Sequence, residues 1–157
     1  MFLIEFLSNL GIAACGKTPF VWGTLYGAKL RKAFTCLLTF NPNLKFKLEP
    51  DLIVTVNVGP EVLTGSTRLK SGSATKCILN MLTTLAMVRY GKCLENLMVD
   101  LLPANSKLKE RALRITQIIV NNDKVTEDVA QKILIKNNYD IKQTVNELRL
   151  MIQSNQI

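Results

Sequence analysis

Residues 52 to 76 read LIVTVNVGPEVLTGSTRLKSGSATK, and this stretch joins a β-rich run to a loop and the start of a helix. The run 52–58 holds Val, Ile and Thr and is closed by Gly59 and Pro60, which predicts a strand that ends at a turn. A helix is predicted from about Lys70 to Tyr90, before Gly91, because apolar residues recur there at helical spacing: Ile78, Leu82, Leu85 and Val88.

The residues upstream continue the alternation of strand and helix. The apolar run 10–14 predicts a buried strand, and residues 19–32 predict a helix with Pro19 in its first turn. Residues 33–40 are β-rich and stop at Asn41-Pro42-Asn43, which is typical of a turn. A βαββα order indicates an α/β fold with a doubly wound parallel sheet.

After Pro103 the pattern predicts helices only. Asn105 or Ser106 caps a helix that runs to about residue 120, and Thr126 begins a second helix that ends at Asn137-Asn138. Asp140 caps a last helix, whose apolar face includes Val145, Leu148 and Met151.

The segment 59–71 has the composition of an anion site. Glycines let the backbone approach a ligand, a helix start offers N–H groups and a positive dipole end, and side chains add hydroxyls and charge: Ser66, Thr67, Ser71, Arg68 and Lys70. The same composition also caps helices without binding anything, so composition alone leaves a phosphate site and simple capping open.

Charge and composition restrict the class of protein. The chain of 157 residues carries a net charge of +8, but its lysines and arginines are scattered, which favours a small anionic ligand over nucleic acid. It contains no histidine and four cysteines without a close pair, which argues against zinc sites and His-dependent nucleophiles. Buried free thiols in a reducing cytosol are the simpler interpretation.

The first fifteen residues have some features of an export signal that ends in Ile-Ala-Ala-Cys. The absence of a basic start and the charge of Glu5 argue against export, so a cytoplasmic location is expected. No segment has the apolar length of a membrane span, and no membrane association is expected.

The run GPEVLTGSTRLKSGSATK closely resembles a signature shared by the N-acetylmuramic acid 6-phosphate etherases and the glucokinase regulatory protein. The resemblance continues through NLMVD at 96–100, and upstream GIAACGKTPF at 11–20 is similar to a conserved loop of this family. It extends from about residue 9 to the C-terminus and follows the etherase branch.

The resemblance implies a partial sugar isomerase (SIS) domain over residues 1–103, with its N-terminal part missing, and a helical bundle similar to ubiquitin-associated (UBA) domains over 104–157. It implies cleavage of the D-lactyl ether of N-acetylmuramic acid 6-phosphate to N-acetylglucosamine 6-phosphate and D-lactate, in cell-wall sugar recycling. It also implies a homodimer for the full-length family and no metal or other cofactor.

The resemblance also implies the residues of the site. Cys15, Gly16, Lys17 and Thr18 fall in a phosphate loop, and a second group falls in the signature: Glu61, Ser66, Thr67, Arg68 and Lys70. Cys15 stands where the etherases usually have Ser, and a thiol is a weaker donor than a hydroxyl. Both loops follow predicted strands, where ligands bind in such sheets.

The glutamates to which the family assigns acid and base catalysis have no counterpart in these 157 residues, so the chain alone is expected to be inactive. For Glu61, a binding or structural role is favoured over that of a catalytic base. Asp100 is interpreted as a structural hydrogen-bonding residue at a strand or loop end. Two alternatives stay open: a noncatalytic sugar-phosphate-binding module like the glucokinase regulatory protein, and a decayed gene remnant.

Overall fold

The computed structural model describes residues 9–44 and 49–156. The chain divides into two compact units, residues 1–86 and 87–157. Residues 1–8, which form much of the segment considered as an export signal, lie outside the described residues. None of the described helices combines the length and the apolar character needed to cross a membrane.

The first unit contains a parallel sheet. Its elements are β1 (Asn9–Ile12), α1 (Pro19–Leu30), β2 (Thr35–Thr39), β3 (Leu52–Thr55) and most of α2 (Lys70–Arg89), whose residues 87–89 fall in the second unit. The strands follow the order β1-β2-β3, with Leu10 beside Cys36 and Leu37 beside Ile53, and all neighbours run parallel. The predicted α/β class and the parallel arrangement are confirmed, with strands up to three residues shorter than the predicted runs.

Helix α1 packs on this sheet. Ala13, Leu25 and Leu37 form a buried cluster, and Val21 and Trp22 pack against it. Gly11 allows the close approach, because a Cβ atom there would lie 2.7 Å from Val21 Cγ1. Helix α1, strand β2 and Ala13, which directly follows β1, therefore form the core beside the loop that joins β1 to α1.

Helix α2 has the predicted position but a largely exposed surface. Among its residues only Ser71 is buried. The predicted apolar positions Leu82, Leu85 and Val88 are 48, 60 and 43% exposed. The apolar spacing therefore predicts the helix correctly, although three of its four predicted apolar side chains are exposed and Ile78 is half-buried.

After the end of α2, the second unit contains a hairpin that the sequence does not predict, β4 (Cys93–Leu94) paired antiparallel with β5 (Leu97–Met98). Three helices follow, α3 (Ser106–Val120), α4 (Glu127–Lys136) and α5 (Ile141–Gln153). They enclose a core with these buried residues: Val99, Ala112, Ile115, Leu134, Ile141 and Val145.

The predicted helix starts in the second unit are confirmed by their capping hydrogen bonds. Asn105 accepts from the N–H of Leu108 at 3.0 Å, and Asp140 accepts from the N–H of Gln143 at 2.9 Å. Thr126 accepts from the N–H of Val129 at 3.4 Å. Each cap pairs a backbone N–H that the helix itself leaves without an acceptor.

The prediction of buried thiols is wrong, although all four cysteines are free as expected. Cys15 and Cys77 are exposed, and Cys36 and Cys93 are only partly buried. Cys15 belongs to the loop after β1 and not to the buried strand, and Cys77 lies on the exposed surface of α2. Partial burial raises the pKa of the Cys36 thiol.

Candidate functional site

The Glu61 carboxylate binds the first turn of α2. One oxygen accepts the backbone N–H of Lys70 at 2.8 Å, and the other accepts the N–H of Ser71 at 3.0 Å. The composition of the segment predicts free N–H groups at this helix start, but these two are already paired with an anion of the chain itself. The Glu61 carboxylate thus partly neutralises the positive dipole end of α2.

The side chain of Lys70 also ties the start of α2 to the residue before Glu61. Its ammonium donates a hydrogen bond of 2.8 Å to the carbonyl oxygen of Pro60. Gly65 stands between these anchors with φ +87°, a backbone conformation that favours glycine, and the N–H of Ser66 donates to the carbonyl of Leu63 at 3.0 Å. We call residues 60–71, held by these contacts, the clamped loop.

Three of the predicted binding residues lie together at the solvent side of the clamped loop. Thr67 and Arg68 are exposed and Ser66 is half-buried, with its hydroxyl accepting the N–H of Arg68 at 3.4 Å. Within the described part of the chain, the Arg68 guanidinium has no hydrogen bond or ion pair. A cation and two hydroxyls are thus presented to solvent on a short, closed segment.

The electrostatics of Glu61 argue against proton transfer. The N–H groups of Ser71 and Lys70 stabilise the carboxylate and lower the pKa of Glu61, with the Lys70 ammonium adding to the effect. A carboxylate with a lowered pKa is a weak base at neutral pH. The geometry therefore supports the structural interpretation of Glu61.

The second predicted loop, residues 15–18, follows β1. Gly16 has φ +74°, and a Cβ atom there would lie 1.6 Å from Leu44 Cδ1, so the position requires glycine. Trp22 Nε1 donates to the Gly16 carbonyl at 2.8 Å, and Asn41 Nδ2 donates to the Cys15 carbonyl at 3.2 Å. These contacts fix the backbone of the loop.

The side chains of this loop are available to solvent. Cys15, Lys17 and Thr18 are exposed, and Thr18 precedes α1 without capping it through its hydroxyl. Among the described residues, no hydrogen bond joins this loop to the clamped loop. The structure therefore presents two separately supported loops within the first unit.

Asn41 and Leu44 support the 15–18 loop, and sequence reasoning assigned neither of them to the site. The sequence indicates only a turn at Asn41, and residues 42–43 do form one. The signal for a supporting role was weak, because Asn41 lies 26 residues from Cys15 in the chain.

Asp100 lies just after β5, and its carboxylate is 3.0 Å from the Lys92 ammonium. Lys92 lowers the pKa of Asp100 through hydrogen bonding and charge. The predicted structural role of Asp100 as a hydrogen-bonding residue at a strand end agrees with this contact.

The fold and these loops define a class of protein: a parallel α/β unit with solvent-facing polar loops after its strands, followed by a helical unit. Comparisons with known proteins show which proteins this chain is similar to. The chain is 47% identical over 125 residues to the N-acetylmuramic acid 6-phosphate etherase of Actinobacillus succinogenes, covering 80% of this chain and 40% of that protein. It is 46% identical over 132 residues to the etherase of Clostridioides difficile, covering 84% and 42%.

A third relative extends the match. The etherase of Caldanaerobacter subterraneus subsp. tengcongensis is 43% identical over 140 residues, which is 89% of this chain and 45% of the relative. Since at most about 17 of the 157 residues lie outside this match, it includes the clamped loop. No protein-family model matches the chain.

The chain is therefore a homologue of part of the N-acetylmuramic acid 6-phosphate etherases, as the signature at 59–76 predicts. It spans about two fifths of the length of the curated relatives it matches.

Proposed function

We propose that this chain supplies part of the sugar-phosphate site of an N-acetylmuramic acid 6-phosphate etherase. The complete activity would cleave the D-lactyl ether of N-acetylmuramic acid 6-phosphate and release N-acetylglucosamine 6-phosphate and D-lactate. The observation that carries the proposal is the exposed Arg68 beside Ser66 and Thr67, which has no hydrogen bond or ion pair of its guanidinium among the described residues and lies within a segment that matches the etherases.

The chemistry of these groups suits a phosphate ester. A guanidinium forms paired, charge-assisted hydrogen bonds with phosphate oxygens, and hydroxyls add neutral donors. The net charge of +8 favours the approach of an anionic substrate. We assign Lys17 and Thr18 of the first loop to the same ligand, with Cys15 as a weaker donor and Gly16 as the residue whose positive φ shapes the backbone of the loop.

We assign no proton transfer to this chain. The family reaction, elimination of lactate followed by hydration, needs an acid and a base, and Glu61 is held as a hydrogen-bonded carboxylate. We propose that Glu61 and Lys70 act in the site by shaping the clamped loop.

The finer architecture is also part of the proposal. We infer that the parallel sheet belongs to a SIS-type doubly wound domain over residues 1–103 and that residues 104–157 form a UBA-like bundle. The bundle is supported by the mutual packing of α3, α4 and α5 around Leu134 and Ile141. We further propose a homodimer in a cytoplasmic location, where the four free cysteines would stay reduced.

Calorimetric titration of the purified chain with N-acetylmuramic acid 6-phosphate tests the function. We expect saturable binding without D-lactate release in the same sample. Arg68→Ala should weaken binding by about tenfold or more, the loss expected for a charge-assisted contact. Arg114→Ala, which removes an exposed arginine of α3, is the matched control and should bind like the unaltered chain. Absence of binding would refute the proposed function, and lactate release would refute the assignment of catalysis elsewhere.

A further inference from the structure

The N-terminus of α2 is the obvious place for a phosphate in the clamped loop, but the structure fills it with Glu61. Each carboxylate oxygen takes one backbone N–H, from Lys70 and from Ser71. A phosphate placed there would have to displace this carboxylate or bear its repulsion at close range. The ligand anion must therefore be held elsewhere on the loop.

The contacts of Glu61 also fix where the remaining donors lie. Residue 61 and residues 70–71 are joined by two hydrogen bonds, and the Lys70 ammonium is joined to Pro60, so both ends of the segment 61–70 are tied together. The residues between these ties must turn back on themselves, which Gly65 permits with its positive φ. Ser66, Thr67 and Arg68 lie in the part of the segment that this closure projects to solvent.

Resting on the proposed function, we propose that Glu61 is a positioning residue of the sugar-phosphate site. It occupies the helix N-terminus, closes the clamped loop and leaves the phosphate to Ser66, Thr67 and Arg68. Glu61 then raises the affinity for the substrate, although its carboxylate is negatively charged like the phosphate of that substrate.

The direction in which one substitution changes substrate affinity separates this proposal from the alternative that Glu61 competes with the phosphate. Glu61→Gln keeps the size of the side chain but removes its charge and replaces one acceptor oxygen with a donor, so the two N–H groups can no longer each have their own acceptor oxygen. If Glu61 positions the loop, Glu61→Gln weakens binding of N-acetylmuramic acid 6-phosphate by about tenfold, the order of one charge-assisted hydrogen bond. If Glu61 only competes with the phosphate for the helix N-terminus, the same substitution tightens binding. Tighter or unchanged binding by the folded variant contradicts the proposal.

Amide NMR of the same proteins gives a readout that does not need the ligand. In the unaltered chain, the amide signals of Lys70 and Ser71 should shift as Glu61 titrates, and Glu61→Gln should abolish that shift. The variant should also speed amide exchange at residues 66–68, while exchange in the core of the second unit stays unchanged. Glu110→Gln, at an exposed position of α3, is the control and should alter neither measurement.

These readouts distinguish the two proposals. If the unaltered chain binds no substrate, the proposed function fails and the affinity part of the positioning role fails with it, whereas faster exchange at 66–68 in Glu61→Gln still shows that Glu61 closes the clamped loop. If exchange at 66–68 is the same in both proteins, the positioning role is refuted even when the chain binds substrate.

Discussion

The Asp51 carboxylate accepts two hydrogen bonds from Thr35, one from the backbone N–H at 2.7 Å and one from the hydroxyl at 2.6 Å. The Thr35 hydroxyl in turn accepts the N–H of Asp51 at 3.1 Å. Thr35 is completely buried at the start of β2, and Asp51 directly precedes β3. This reciprocal pair fixes the beginnings of two neighbouring parallel strands.

Asp51→Ala should lower the thermal stability of the first unit. The substitution leaves the buried N–H and hydroxyl of Thr35 without their acceptor, and an unpaired buried polar group is unfavourable. Thermal unfolding followed by circular dichroism measures the change. Asp123→Ala removes an exposed carboxylate between α3 and α4 and should leave the melting temperature unchanged. Equal melting temperatures for all three proteins would show that the Asp51–Thr35 pair does not hold the strands.

Acidification should destabilise the chain, partly through the same residue. The hydroxyl and the backbone N–H of Thr35 lower the pKa of Asp51 in the folded chain. As pH falls, Asp51 is therefore protonated at a higher pH in the unfolded chain than in the folded chain. The stabilisation from Asp51 is complete above the ordinary carboxyl pKa, and it is lost as pH falls through the lowered pKa of the folded chain. Melting temperatures measured across the acidic range should fall less steeply for Asp51→Asn. Parallel curves for the two proteins would contradict the linkage.

The two glycines Gly16 and Gly23 should respond to alanine in opposite directions. Gly16 has φ +74° and no room for a Cβ beside Leu44, so Gly16→Ala should destabilise the fold by about 1–3 kcal/mol, as strained positions do. Gly23 lies in α1 with nothing within 4 Å of an added Cβ. Gly23→Ala should stabilise by about 0.5–1 kcal/mol through helix propensity. Denaturant unfolding tests both, and a stabilising Gly16→Ala would show that the loop is not constrained as described.

Two consecutive residues of α4, Leu134 and Ile135, differ sharply in burial. Leu134 is completely buried, whereas Ile135 is 52% exposed. Leu134→Ala should reduce the free energy of unfolding by about 2–5 kcal/mol because it opens a cavity in the helical core. Ile135→Ala should change it by less than about 0.5 kcal/mol. Similar effects of the two substitutions would contradict the observed orientation of α4.

The four thiols should react in two groups with a thiol reagent under native conditions. Cys15 and Cys77 are exposed and should react first, whereas Cys36 and Cys93 are partly buried. The raised pKa of Cys36 further reduces its reactive thiolate. Mass spectrometry of timed reactions identifies the order. In denaturant all four should react alike, and native reaction of Cys36 as fast as that of Cys15 would contradict its partial burial on β2.

The sequence predicted the regular elements well because their signals are local. The β-rich runs at 33–40 and 52–58 contain β2 and β3, and the polar residues Asn105, Thr126 and Asp140 begin the three terminal helices as expected. Alternation of strands and helices was enough to predict a parallel sheet. Strand ends were overestimated, since apolar runs extend beyond the residues that pair.

The features that were missed depend on distance or on very short elements. Strands β4 and β5 have two residues each, too few for a period-2 pattern to be recognised. The sequence indicates a structural or binding role for Glu61 but not its partners Lys70 and Ser71, which lie nine and ten residues downstream, a separation at which capping motifs give no sequence signal. The exposure of Cys15 and Cys77 depends on which neighbours cover them, and the residue type alone predicted the opposite.

The central claim is that the solvent side of the clamped loop binds the phosphate of the sugar. The most direct measurement is an amide NMR titration of the chain with N-acetylmuramic acid 6-phosphate, with N-acetylmuramic acid lacking the phosphate as the control. We predict that saturable shifts occur at Ser66, Thr67 and Arg68 and at residues 15–18, and that they require the phosphate. Shifts confined to the second unit, or equal shifts with both sugars, would contradict the claim.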